Sequence, residues 1–157
     1  MSAKTINGLV FDQDLIQLHA RYDSREELIK SFGKKIEEKN YAKKGYTESL
    51  LQREIEYPTG INMGTIGIAI PHTNKEFVNE TAIAVAVLDN SIEFEDMGGS
   101  DVTVNAEIVM VLVVKNPKMH ISFLKNLTSL FQEEKFVKRF QNATNPAEIE
   151  EILLKLL

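Results

Sequence analysis

Arg53, His72 and His120 are the side chains in this chain whose types and settings could do chemistry together. An imidazole can attack phosphorus, a guanidinium can fork around phosphoryl oxygens, and the amino end of a helix adds donors. His72 lies in Gly67-Ile68-Ala69-Ile70-Pro71-His72-Thr73-Asn74. Pro71 has no amide donor and a fixed φ, so a strand reading Gly67 to Ile70 should stop there and deliver His72 at its end. Strand ends are where a scaffold presents a reactive group. Thr73 and Asn74 supply a hydroxyl and an amide that could hold one ring nitrogen and leave the other free. On this octapeptide alone, a histidine packed for structure and a reactive one both stay open, the structural one being the commoner case.

Other chemistries lack their parts. The chain of 157 residues has no cysteine, which removes disulfides, thiol nucleophiles and cysteine-based metal sites together. Its three histidines lie in unrelated contexts with no His-x-x-x-His pair, so neither a metal nor another cofactor is called for. No Gly-x-Ser-x-Gly elbow supports a serine hydrolase. The formal charge of −5, with lysines scattered among acids, leaves no footprint for nucleic acid. The longest apolar run, Ile108 to Val114, is strand-sized, so no membrane span is expected. Met1 to Gly8 lacks the apolar core of a secretory signal, and a cytoplasmic location is the expectation.

The elements that must position the three residues can be read in order. With 43% hydrophobic and 26% charged residues, the length is enough for one domain with a substantial core. Leu9-Val10-Phe11 and Leu15-Ile16-Gln17-Leu18, separated by Asp12-Gln13-Asp14, read as a hairpin or two small edge strands. His19 behind them reads as a surface residue. Ser24-Arg25-Glu26-Glu27 is a capping box, and Leu28, Ile29, Phe32 and Ile36 predict an amphipathic helix from Arg25 to about Glu38.

Thr47 opens a second helix whose stripe is Leu50, Leu51 and Ile55, with Arg53 and Glu54 beside it. Tyr57 to Gly64 reads as the loop leading to the His72 strand. Thr81 to Leu88 and Ile92 to Phe94 read as strands around an Asp89-Asn90-Ser91 turn, with a flexible break at Met97-Gly98-Gly99. Ala106 to Val114 reads as a central strand covered on both faces. His120 then opens a helix with Leu124, Leu127, Leu130 and Phe131 buried, a place that disfavours a protonated ring and suits an anion. Phe136, Val137 and Phe140 mark a short helix, and Asn145-Pro146 caps a last one carrying Ile149, Ile152, Leu153 and Leu156. The reading is an α/β fold: a single compact domain over residues 1–157 with a central mixed β-sheet flanked by helices.

Over most of its length the chain resembles the enzyme IIA components of the bacterial phosphoenolpyruvate-dependent sugar phosphotransferase system, in the fructose/mannitol superfamily. Thr59-Gly60 with Gly67-Ile68-Ala69-Ile70-Pro71-His72 is similar to the family's active-site signature. Gln52-Arg53-Glu54, and Ala106 to Val114 followed by His120 and a Leu-rich helix, are further matches. Phe94-Glu95-Asp96-Met97-Gly98 resembles the galactitol-type branch. The stretch from Arg53 to His72 is longer than in mannitol-type members.

The resemblance implies that His72 is the phosphoryl carrier through Nε2, that His120 is the second active-site histidine, and that Arg53 binds the phosphate. It implies HPr as donor, a cysteine on a separate IIB protein as acceptor, and a IIC component for translocation of galactitol or a related polyol. Neutral His72, near its reference pKa of about 6.5, would attack in line while Arg53, His120 and backbone amides balance the equatorial oxygens. A regulatory relative of the nitrogen-linked kind is the neighbouring alternative. A protein-interaction module with structural histidines, and a small-molecule hydrolase, are alternatives from other classes.

Overall fold

The structure, a computed structural model, describes residues 3–99 and 101–156. Its strands are β1 (Ala3–Ile6), β2 (Leu9–Asp12), β3 (Ile16–Ala20), β4 (Gly60–Asn62), β5 (Gly67–Ala69), β6 (Thr81–Glu95) and β7 (Thr103–Val113). Its helices are α1 (Arg25–Glu38), α2 (Tyr46–Glu56), α3 (Pro117–Leu130), α4 (Glu134–Gln141) and α5 (Pro146–Leu154). The sheet order is β1-β2-β6-β7-β5-β4, with β3 also on β6. Parallel and antiparallel pairs coexist, so the mixed sheet expected of the α/β reading is present.

Alternation along β6 separates two cores. Ile83, Val85 and Val87 face one side with Ile108, Met110 and Leu112 of β7, against Phe123, Leu127, Phe131, Phe140, Ile149 and Ile152 of the C-terminal helices. Ala82, Ala84 and Ala86 face the other side, against Leu28, Phe32, Ile36, Tyr46 and Leu50. The small side chains on that face leave room for the rings of Phe32 and Tyr46, both fully buried. Burial on both faces explains why the central strands read as nearly continuous apolar runs.

Helix ends follow their capping residues. The Ser24 hydroxyl accepts the Glu27 amide at 3.1 Å, and the Asn145 side chain accepts the Glu148 amide at 3.2 Å. α3 begins earlier than expected: Asn116 accepts the Lys118 amide at 2.9 Å and Pro117 occupies the first turn. His120 therefore sits one turn in, its own amide donating to the Asn116 carbonyl at 3.1 Å. The buried side of α3 is Phe123 and Leu127, with Leu124 and Leu130 only half-buried.

Four expectations are corrected. Of the hairpin or two small edge strands expected, β2 and β3 form no hairpin; they are two separate short strands, both parallel to β6, Leu9 opposite Thr81 and Ile16 opposite Val85, and β2 is covered by β1. The hairpin is β1-β2, turned by Asn7 and Gly8 at φ 53° and 80°, the left-handed pair that suits strand twist. Asp89-Asn90-Ser91 is no chain reversal, because β6 runs through it with a register shift between Val87 and Ile92. Within the expected loop before the His72 strand, β4 pairs with β5, Ile61 opposite Ile68.

The fourth correction concerns α2, whose buried stripe is Tyr46, Leu50 and Glu54. Ile55 is 66% exposed, and Glu54 lies on the inner face instead of beside it. The i, i+4, i+8 spacing joins those three residues; hydrophobicity alone favours Ile55.

Gly67 shows how tightly β5 is seated. A Cβ there would lie 2.2 Å from the Asn105 carbonyl oxygen, a backbone atom with little freedom to retreat. Gly67→Ala should lower stability by about 1–3 kcal/mol, read as a reduced urea midpoint at unchanged slope. A midpoint equal to wild type would show that β5 does not depend on this approach.

Candidate functional site

The strand carrying His72 ends where proline predicts. The Pro71 carbonyl accepts the Leu112 amide at 2.9 Å, and His72 makes an isolated parallel bridge to Leu112 of β7. β7 ends one residue later, and the chain turns through Asn116 into α3. His120 comes back over His72, ring centroids 4.5 Å apart and planes at 80°.

The His72 ring is held by backbone. Nδ1 lies 2.8 Å from the Ile70 carbonyl oxygen, which only accepts, so Nδ1 carries the hydrogen and Nε2 keeps its lone pair. This corrects the expectation that Thr73 or Asn74 would hold the ring; Thr73 instead shares a short hydroxyl contact with Ser49 of α2. The outcome is the same: one nitrogen engaged, the other available.

Burial lowers the His72 pKa; the bond to Ile70 opposes this, and the Arg53 charge adds to it. His120 is lowered to about 4, first by burial, then by His72 and Arg53. Two ring charges 4.5 Å apart would repel by about 4 kcal/mol at an effective dielectric near 20, so the two rings are not positively charged together near neutrality.

Arg53 lies within electrostatic reach of both rings, and its guanidinium carbon stacks 4.4 Å from the Tyr57 ring centroid. Arg53 Nε and His120 Nε2 are buried without a hydrogen-bond partner among the described residues. Buried polar atoms are rarely left so, and a pair of them beside a free imidazole nitrogen suits a polar, anionic guest. The three residues singled out in the sequence are thus brought together.

Beside them, His72 shares an open cleft with Glu56, Tyr57, Pro58, Thr59, Met97, Gly98 and Gly99. The expected break at Met97-Gly98-Gly99 is one wall of it, tied down by the Met97 amide donating to the Gly60 carbonyl at 2.8 Å. Tyr57 and Met97 of this cleft stay exposed, as do Ile55 on α2 and Ile121, the neighbour of His120 on α3. His19 is apart from the site, exposed and 3.0 Å from Asp89. Among the described residues no group of His, Asp and Glu is placed to hold a metal ion, and no helix is long and apolar enough to cross a membrane.

Sequence reasoning missed Glu54 as part of the site. It is buried, and its carboxyl oxygens accept the Thr59 amide at 2.9 Å and the Thr59 hydroxyl at 2.8 Å. Burial raises its pKa to about 7, opposed by the Thr59 bonds and the Arg25 charge and reinforced by Glu95. The signal was present in its spacing from Tyr46 and Leu50.

Comparison with known proteins defines the class. The family model described as the phosphoenolpyruvate-dependent sugar phosphotransferase system, EIIA 2, matches residues 9–156, and the chain belongs to that family of phosphocarriers. The galactitol-specific EIIA component of Escherichia coli (strain K12) is 28% identical over 114 residues, 73% of this chain and 75% of that protein. The 2-O-alpha-mannosyl-D-glycerate-specific EIIABC component of the same strain is also 28% identical, over 142 residues. That match takes 87% of this chain, which spans only 21% of the relative's length. In fold, the chain superposes with a TM-score of 0.74 on the complex of enzyme IIAMTL and phosphorylated enzyme IIBMTL from Escherichia coli, at 23% identity, covering 93% of this chain and 98% of that one. Equal identity to relatives named for different sugars makes the galactitol-type branch one of several the chain is similar to.

The lowered histidines should make the protein acid-sensitive. An unfolded imidazole titrates near about 6.5, so between there and about 4 the unfolded chain binds more protons than the folded one at His120. Stability from this group is complete above the unfolded value and is lost as pH falls toward the folded one. Urea midpoints should therefore decline through that window, less steeply in His120→Asn; equal slopes would show that His120 is not held neutral.

Proposed function

We propose that His72 is the phosphoryl carrier of this EIIA protein, accepting from a phosphohistidine of HPr and passing the group to a cysteine of a IIB component during sugar uptake. The observation that carries the reading is the Ile70 carbonyl on Nδ1, which leaves Nε2 free as the nucleophile, with the His120 ring against His72 and the Arg53 charge within reach. The Nε2 lone pair forms the new N–P bond while the donor's N–P pair returns to its own ring nitrogen. His72 Nδ1–H stays on the Ile70 carbonyl, whose oxygen stabilises the positive charge that develops on the ring as Nε2 is phosphorylated. Arg53 and His120 face the phosphoryl oxygens. No proton has to leave the nucleophile, because attack comes from a nitrogen that bears none.

On this reading the apolar rim of Ile55, Tyr57, Met97 and Ile121 is the docking face, used in turn by donor and acceptor in the cytoplasm. A phosphorylated IIB partner is named for the structural relative, which supports a IIB acceptor here. Galactitol or a related polyol is the sugar class favoured by the Phe94-to-Gly98 segment. Residues 1–157 act as one EIIA domain.

A second reading draws on the transcriptional regulator ManR of Bacillus subtilis, 30% identical over 133 residues, which make up 83% of this chain and 19% of that protein. On this reading phosphorylation of the present chain would serve regulation of another protein, as in the nitrogen-linked alternative. Transfer to a sugar-system IIB cysteine separates the two.

Intact-mass measurement with phosphoenolpyruvate, enzyme I and HPr should find one acid-labile phosphoryl group on wild type and none on His72→Ala. A stable phosphoryl group on His72→Ala would overturn the assignment. Arg53→Ala, folded, should accept phosphate about 10²–10³-fold more slowly, the scale of one lost charge-stabilising donor. His120→Ala should accept detectably but pass the group on slowly; onward transfer at the wild-type rate would remove His120 from the site.

A further inference from the structure

Behind His72 runs a chain of hydrogen bonds with a single sense. Glu54, 5% exposed, accepts twice from Thr59, at the amide and at the hydroxyl. Having given its one proton to Glu54, the Thr59 hydroxyl offers a lone pair to the Ile70 amide at 3.2 Å. The Thr59 carbonyl accepts that same amide at 3.3 Å. The other end of the residue, the Ile70 carbonyl, takes the His72 Nδ1 hydrogen. With both carboxyl oxygens accepting from Thr59, Glu54 sets the direction of the Thr59 hydroxyl, the one rotatable donor in the chain, and through it the seat of Ile70, whose amide and carbonyl have fixed roles.

We infer that Glu54 is a positioning residue for His72, acting through Thr59 and the two polar ends of Ile70 to keep the ring in the Nδ1–H tautomer with Nε2 aimed at the incoming phosphorus. This rests on the carrier reading of His72. Glu54 touches neither the ring nor the phosphoryl group. A structural carboxylate would need only to satisfy the 57–59 turn, but here both Thr59 donors converge on it and the hydroxyl is freed as an acceptor for the Ile70 amide. A glutamine cannot do the same, since its amide nitrogen would face one of the two Thr59 donors or reverse the hydroxyl.

The test is the ring tautomer of His72, read by long-range nitrogen-15 correlation spectra, beside the rate of phosphoryl acceptance from phospho-HPr. Wild type should show His72 as one tautomer, Nδ1 protonated. In Glu54→Gln and in the near-isosteric Thr59→Val, Nε2–H should become populated. Acceptance should slow by about tenfold or more, toward the ~10²-fold that misplacing a reacting group by 1 Å costs. Thr59→Ser, which keeps the hydroxyl, should restore both. The double variant Glu54→Gln/Thr59→Val should be no slower than the worse single one, because both break one chain.

Folded variants with an unchanged tautomer and an unchanged rate would overturn the inference. So would fast hydrogen exchange of the Ile70 amide in wild type, a readout that needs no variant. A wild type that accepts no phosphate would overturn the carrier reading, whereas the tautomer and exchange readouts report on the clamp in either case.

Discussion

The β6–β7 ladder is the constraint on which the site depends. Its antiparallel register runs from Ala82 opposite Val113 to Glu95 opposite Thr103 and leaves the other edge of β7 to receive β5. β5 is only three residues long, too short to hold position by its own pairing. It is seated by Ile68 and Ala69 against Ile108 and Val109, by the near contact of Gly67 with Asn105, and by the Pro71 carbonyl on the Leu112 amide. The same β7 runs on into α3. One strand therefore sets both histidines, and their 4.5 Å separation follows from its register.

Electrostatics then does what geometry alone would not. Burial costs a charged imidazole more than a neutral one, so the two rings and Arg53 divide the labour: the guanidinium keeps the permanent positive charge and the imidazoles stay neutral. A neutral, desolvated nitrogen near the Arg53 charge, with Arg53 Nε and His120 Nε2 unpartnered among the described residues, suits the anionic group that the proposed carrier role requires. The Glu54 carboxyl is engaged by the Thr59 amide and hydroxyl, and no ion pair joins it to Arg53 among the described residues.

Much of this was legible because it is local. Ser24 and Asn145 mark helix starts through bonds to residues three places on, and Pro71 ends a strand by lacking a donor. The apolar run into Val113 names a strand buried on both faces. The misreadings are as instructive. Asp89-Asn90-Ser91 has turn residues, but long-range pairing with β3 and β7 carries β6 through them. Gly60-Ile61-Asn62 sits in a loop-like stretch and becomes a strand only because β5 offers it an edge. Glu54 was placed outside the stripe because a charge is not expected inside, and the two Thr59 donors that make its burial tolerable come from beyond the helix.

By itself the sequence determined the chemistry available and its approximate carriers: no thiol, two imidazoles after a strand and near a helix start, an arginine upstream, and a family signature around His72. Those depend on residue identity and near-neighbour spacing. Tertiary structure alone decided which ring nitrogen is free, that the His120 ring packs against His72, and that Glu54 is linked by hydrogen bonds through Thr59 to Ile70. Each of these is a contact between segments separated along the chain, set by strand register and burial, and neither quantity is a property of any local stretch of residues.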